Sequence, residues 1–196
     1  MTTGQARPRR ADAQRNRARI LAATPVALSR DPDASVAAIA AEAGVGRMTL
    51  YGHFTTRAEL IEAALVESLE RGDEVLREVP LDGDAAEAFS RLIASSWTLL
   101  NDARALLLAA QKELPAARIR ELHEAAEARM RGLLERGRRE GVFRADLPVS
   151  WLLTTTHVVL HGAADEISAG RLTPDEAARF IQATLRPAFA ASAAQG

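Results

Sequence analysis

Residues 44–60, GVGRMTLYGHFTTRAEL, concentrate side chains that can bind a polyanion. The stretch holds two arginines and four hydroxyl side chains within seventeen positions. Arginine can donate two hydrogen bonds to the edge of a guanine, while threonine, tyrosine and protonated histidine can donate to phosphates. The residue types of Arg47, Thr49, Tyr51 and His53 therefore favour contact with a nucleic acid.

Other reactive groups are sparse. The absence of cysteine excludes disulfides, thiolate metal sites and a thiol nucleophile, and no G-x-S-x-G, P-loop or H-E-x-x-H motif is present. His157, His161 and Asp165 share one helical face at i, i+4 and i+8 and could ligate a metal. Histidines packed at an interface, or polar groups of a pocket, explain the same spacing. We expect no enzyme, no cofactor and no bound metal.

The charge is divided unevenly along the chain. Residues 1–60 carry nine arginines against five acidic residues, whereas the remainder is net acidic. A basic first third suggests a polyanionic partner, although a solvated arginine-rich tail would give the same count. The longest apolar runs are too short for a membrane span, and the first thirty residues lack a hydrophobic signal core. We expect a cytoplasmic protein without membrane association.

The hydrophobic pattern is helical almost throughout. Period-two alternation is missing and aromatic residues make up only 4% of the chain, so strands are not expected. The prediction is an all-α protein of about nine helices, with Ser35 as an N-cap, Gly44 as a stop and a capping box at Thr173. The predicted helices cover approximately residues 13–29, 36–43, 45–54, 56–71, 84–101, 103–114, 116–140, 148–170 and 175–190.

Two of these helices, joined by the turn AGVG, form a predicted helix-turn-helix, whose second helix can enter a major groove. Its small hydrophobic core is predicted from Ile39, Ala40, Val45, Leu50 and Phe54. This core leaves five residues to be divided between packing and an outer face: Arg47, Met48, Thr49, Tyr51 and His53.

The longer run of residues 14–65 resembles the TetR family of bacterial transcription regulators. The resemblance is carried by RNRARILAAT and by the pattern IA..AGV....LY.HF..R.EL within SVAAIAAEAGVGRMTLYGHFTTRAELIEAAL. It implies that residues 45–54 are a recognition helix, with Arg47 and Met48 facing base edges and Thr49 beside them.

The resemblance also implies phosphate contacts. Tyr51, His53 and Arg57 match phosphate-binding positions, and Ser35 matches a hydroxyl residue that caps the second helix and can touch a phosphate. Tyr51 and His53 can alternatively serve mainly in packing. Gly46 replaces a usual serine or threonine and removes a cap, and Gly52 is expected to cost about 1 kcal/mol of helix stability relative to alanine.

The family layout implies three segments: a disordered basic tail at 1–12, a helix-turn-helix DNA-binding domain at 13–60, and an effector-binding and dimerisation domain at 61–196. The first of the last two helices, residues 148–170, is too apolar for a solvated helix, and a four-helix interface formed by the last two helices of each chain in a homodimer would bury it. An apolar position such as Leu160 is expected in that interface.

The implied function is a repressor released from a palindromic operator in double-stranded DNA by a small-molecule effector. Activation remains an alternative, as does a helical small-molecule-binding protein or enzyme without DNA-binding activity. Candidate residues of the effector pocket are Trp97, Gln111, Met130, Trp151 and His157, with Phe89 and Leu107 as further apolar candidates.

Overall fold

The computed structural model describes residues 6–191, without the side chains of residues 6–10 and 125–126. This part of the chain forms nine α-helices and no strand, which confirms the predicted all-α fold. The helices are α1 (Ala6–Arg30), α2 (Val36–Glu42), α3 (Arg47–Tyr51), α4 (Arg57–Arg77), α5 (Ala85–Asp102), α6 (Arg104–Glu113), α7 (Ala116–Arg139), α8 (Val149–Ser168) and α9 (Pro174–Phe189).

The helix ends follow local signals in the sequence. The Ser35 hydroxyl accepts a hydrogen bond from the backbone N–H of Ala38 at 3.2 Å and caps α2. The turn after α2 contains Gly44 at φ 61°, a conformation that glycine adopts without a steric penalty. Thr173 and Glu176 form the predicted capping box at the start of α9.

Helix α1 is longer than the sequence pattern indicates. It begins at Ala6, inside the segment predicted as the basic tail, and continues past Pro25 to Arg30; residues 1–5 of that tail lie outside the described residues. The start of α4 differs from the capping box of α9 in one bond. The Thr56 hydroxyl accepts from the N–H of Glu59, but the Glu59 carboxylate bonds the N–H and hydroxyl of Thr55.

One compact unit comprises the chain up to Leu69 together with Ala103–Glu121. In it, α1 packs against α2, α3 and α6. The family layout places α6 in the effector-binding segment, whereas it belongs here with the helix-turn-helix. Four of the five residues predicted for the helix-turn-helix core are buried, namely Ile39, Ala40, Leu50 and Phe54, and Val45 is half-buried. The core of this unit also contains Ile20, Leu21, Thr24 and Leu28 of α1.

The second unit comprises Glu70–Asp102 and the chain from Leu122 onwards. Its core contains Phe89, whose ring lies 5.6 Å from that of Phe143 and 5.4 Å from that of Phe189, measured between centroids. Phe143 packs directly on Gly137, where any Cβ would lie 2.2 Å from the ring. None of the helices described is long and apolar enough to cross a membrane.

Candidate nucleic-acid interface

Helix α3 is the short second helix of the helix-turn-helix and contains only five residues. Gly46 occupies its N-cap and provides no side-chain hydrogen bond, as the sequence indicated. Gly52 is the C-cap with φ −70° rather than an interior residue, so the expected cost of an interior glycine does not apply. Because so short a helix is unstable alone, its contacts with α1 and α2 hold it in place.

Four side chains of this segment lie at the extremes of exposure, two in the core and two in solvent. Leu50 and Phe54 are only 1% and 2% exposed, which confirms their predicted role in the core. Arg47 is exposed, and Met48 is 82% exposed although it is apolar. The pair at the start of α3 therefore forms an outward surface that the fold does not use.

The remaining predicted contacts line the same segment. The guanidinium carbon of Arg47 lies 5.5 Å from the centroid of the Tyr51 ring, within cation–π range. Thr49, Tyr51 and His53 are half-buried. The His53 ring centroid lies 6.3 Å from that of Phe54, so this histidine combines packing with a partly accessible edge.

The two predicted phosphate contacts outside residues 45–54 are already engaged. Ser35 is exposed, and its oxygen accepts the capping bond from α2, which leaves its hydroxyl hydrogen to donate. Arg57, the first residue of α4, donates to the Glu113 carboxylate at 3.0 Å. No local pattern in the sequence indicates this partner, which lies 56 positions along the chain.

Two further arginines, not singled out in the sequence, lie beside the helix-turn-helix. The guanidinium carbon of Arg17 lies 5.6 Å from the centroid of the Phe54 ring. Arg19 donates to the carbonyl of Gly44, in the turn before α3, at 3.2 Å. Both residues belong to the basic first third of the chain, but the sequence alone does not place them near α3. The packing of α1 on α3 does.

The candidate effector residues do not form one cluster within either unit. Trp97 and Met130 belong to the buried core of the second unit, as does Phe89. Trp151 is 56% exposed, which does not fit a pocket wall. Gln111 is exposed and Leu107 is buried, and both lie on α6 in the first unit.

His157 lies in a group of three imidazoles in the second unit. Its ring stacks on that of His161 with centroids 3.9 Å apart, and His123 approaches both rings edge-on at 5.8 and 6.3 Å. Burial lowers the pKa of His161 to about 3, and His157 and His123 add to the effect. Asp165 is exposed, and no group of three potential ligands among the described residues could hold a metal ion.

A separate open groove in the second unit has a volume of 410 Å³, within the range of small-molecule sites. It contains two guanidinium groups that also bind the loop after α4: Arg129 donates to the carbonyl of Val79, and Arg136 donates to that of Leu81. Sequence periodicity could not reveal this groove, since the loop that forms it has no regular pattern. Its lining is Leu81, Asp82, Ala128, Arg129, Gly132, Leu133 and Arg136.

An all-helical chain with a buried helix-turn-helix core and an outward basic segment defines the class of helix-turn-helix DNA-binding regulators. Residues 20–64 match the family model described as bacterial regulatory proteins, tetR family. The resemblance to the TetR family predicted from the residue pattern is thus confirmed for the DNA-binding segment, residues 20–64. No curated protein matches the sequence.

Solved structures of TetR-family regulators share the fold over most of the chain. A TetR-family regulator from Marinobacter aquaeolei VT8 is 17% identical with a TM-score of 0.68, covering 92% of this chain and 98% of its own. LfrR from Mycobacterium smegmatis, in complex with proflavine, is 21% identical with a TM-score of 0.67, covering 87% and 95%. FadR from Bacillus subtilis, in complex with stearoyl-CoA, is 19% identical with a TM-score of 0.67, covering 86% and 96%. All three are described as transcription regulators.

Proposed function

We propose that this protein is a homodimeric repressor that binds a palindromic operator through α3 and leaves it when a small molecule binds. The observation that carries the proposal is the division of the recognition segment, with Arg47 and Met48 outward and Leu50 and Phe54 buried. Arginine suits a guanine edge, and an exposed methionine suits the methyl group of a thymine. Tyr51, His53, Ser35 and Arg57 would contact phosphates and fix the register.

An exposed apolar surface supports dimerisation through the last two helices. Of the six large hydrophobic residues that are exposed in the described chain, three lie on α8 and α9: Trp151, Val158 and Phe180. Helix α8 packs on α9, and the same outward faces carry Gly162 and Ala183, whose small size lets a second copy approach closely. A twofold protein also matches two equal half-sites on DNA.

Binding of an effector is supported by the groove of 410 Å³ and by the ligands of the structural relatives. Arg129 and Arg136 give the groove two cations, which favours a ligand with a carboxylate or phosphate over a cationic one. An effector that binds the free protein better than the DNA-bound protein also lowers the affinity for DNA. The coupling free energy is the same whether the effector or the DNA binds first.

The experiment that tests the function is selection of duplexes from a random-sequence pool by the full-length protein. We expect enrichment of an inverted repeat bound by two chains, with an affinity at least about a thousandfold above that for random DNA. Affinity should fall steeply with salt. A protein that enriches no sequence and ignores DNA at low salt would instead favour the alternative, a helical ligand-binding protein or enzyme without DNA-binding activity.

The effector can be detected through tryptophan emission. The chain has two tryptophans, so Trp151→Phe leaves the buried Trp97 as the single reporter in the second unit. Candidate anionic amphiphiles that release the DNA should also change the emission of this variant. The variant Arg136→Gln should weaken both effects together if the groove binds the ligand, and should change neither if the ligand binds elsewhere.

A further inference from the structure

Arg57 and Glu113 form an ion pair whose two charges lie at unfavourable helix ends. Arg57 is the first residue of α4 and Glu113 the last of α6, so a cation sits at a helix N-terminus and an anion at a helix C-terminus. Their side chains are only 23% and 31% exposed. Each charge therefore offsets the unfavourable position of the other, and solvent screens the pair less than a fully exposed one.

A second ion pair lies next to the first. Lys112 donates to the Asp33 carboxylate at 2.9 Å. This hydrogen bond lowers the pKa of Asp33, and the charge of Arg57 contributes a smaller lowering, which indicates that the two pairs interact. Together, Asp33, Arg57, Lys112 and Glu113 form a neutral charge quartet that joins the turn after α1, the start of α4 and the end of α6.

The position of the Glu113 carboxylate is one that a DNA phosphate could also occupy. The N-terminus of the 21-residue helix α4 favours an anion, and Arg57 adds a full positive charge there. While Glu113 neutralises this charge, a phosphate gains less by approaching. DNA and α6 therefore compete for the same guanidinium.

We propose that Glu113 is a positioning residue that competes with a DNA phosphate for Arg57, so that the charge quartet holds DNA affinity below its maximum. The inference rests on the proposed function as a DNA-binding regulator. A phosphate that takes Arg57 releases Glu113, and by reciprocity a change that breaks the Arg57–Glu113 pair strengthens DNA binding through Arg57.

The test compares Glu113→Gln with Glu135→Gln, which makes the same change of charge at an exposed position on α7 in the second unit. DNA affinity is measured on a selected duplex and on a random duplex over a range of salt concentrations. Glu113→Gln should bind both about two- to fivefold more tightly per protomer. Its salt slope should steepen by about one unit for each Arg57 that gains a phosphate. Glu135→Gln should bind like the wild type.

Two further variants test whether the change in DNA affinity depends on the Arg57–Glu113 ion pair. In an Arg57→Ala background, Glu113→Gln should add nothing, since its target is gone. Glu113→Asp, whose side chain is one methylene shorter, should give a smaller gain in DNA affinity. It keeps the competition testable if Glu113→Gln does not fold. Thermal unfolding monitors the fold of each protein.

The outcomes distinguish this inference from the function on which it rests. An unchanged or weaker affinity of Glu113→Gln overturns the competition, as does an equal gain from Glu135→Gln or a gain that persists without Arg57. A wild-type protein that binds the selected and random duplexes equally contradicts the proposed sequence-specific function, whereas the response of the random duplex to Glu113→Gln still tests the competition. A wild-type protein that binds neither duplex at low salt overturns both.

Discussion

The guanidinium of Arg47 lies over the ring of Tyr51, with 5.5 Å between the guanidinium carbon and the ring centroid. The two residues stand one helical turn apart at the ends of α3. The ring restricts the arginine, which stays exposed, so we expect a smaller entropy cost when this long side chain is fixed on DNA. We therefore expect Tyr51 to have two roles, as an aromatic support for Arg47 and as a hydroxyl donor to a phosphate.

Replacement of Arg47 by alanine should impair recognition of one base pair in each half-site. We expect a cost of about 1 to 3 kcal/mol on the selected operator and much less on random DNA, with relaxed preference at that base pair. Salt titrations on the two duplexes measure both effects.

Arg57→Ala is the control for this prediction, since Arg57 begins α4 and is expected to reach only phosphate. It should weaken both duplexes nearly equally and reduce the salt slope by about one unit for each phosphate that the arginine no longer neutralises. The two roles are reversed if Arg47→Ala lowers both affinities alike while Arg57→Ala changes base preference.

Met48 and Leu50 give a matched pair of aliphatic truncations within α3. Met48→Ala should leave the melting temperature unchanged, because the side chain is 82% exposed, but should lower affinity for the operator. Leu50→Ala should cost about 2 to 5 kcal/mol of folding free energy, because the side chain is buried. Thermal unfolding and DNA binding are measured for both. A loss of stability in Met48→Ala would argue that this methionine packs rather than reads bases.

The helix-turn-helix could be predicted from sequence because its signals are local. Ser35, Gly44 and the spacing of Ile39, Leu50 and Phe54 specify caps, a turn and a buried face within twenty residues. The partner of Arg57 could not be predicted, since Glu113 is separated from it by 56 positions and only tertiary packing unites them. The pattern places Gly52 in a helix interior rather than at the cap because helix ends are uncertain by one or two residues.

The second unit is harder to interpret for a different reason. Apolar residues on its helices mark burial, but periodicity does not distinguish burial in the chain's own core from burial against another copy. Leu160 illustrates the problem: predicted for the dimer interface, it is 7% exposed within the core of a single chain. Trp151, predicted for a pocket, is exposed. The two kinds of burial can be distinguished only when it is known which side of α8 faces the other helices of its own chain.

Val158→Glu should convert the dimer to a monomer and abolish operator binding. Val158 is 62% exposed on α8, in the middle of the surface proposed to meet a second copy, and an interface core does not tolerate an unpaired charge. Sedimentation measures the mass, and circular dichroism should show a fully folded chain. Leu160→Glu, two residues away, should instead unfold the second unit because it buries that charge. An intact dimer of Val158→Glu that still binds DNA would require another interface.

Acid should destabilise the second unit through His161. The pKa of His161 lies at about 3 in the folded protein against 6.5 without the fold, because burial and the two neighbouring imidazoles disfavour its charged form. Between these values the unfolded chain binds more protons, so the free energy of unfolding falls as the pH is lowered from about 6.5 towards 3. The contribution of this group is fully present above pH 6.5, with a slope of at most about 1.4 kcal/mol per pH unit below it.

The measurement is chemical denaturation between about pH 7 and pH 5, above the range in which carboxylates titrate. Arg144, for example, lowers the pKa of Asp146 to about 2, so this carboxylate affects stability only in stronger acid. His161→Gln should flatten the pH dependence, and His53→Gln, which removes a histidine from the first unit, should retain it. If the slope of His161→Gln equals that of the wild type, burial does not keep this imidazole neutral, and the acid response must come from elsewhere in the fold.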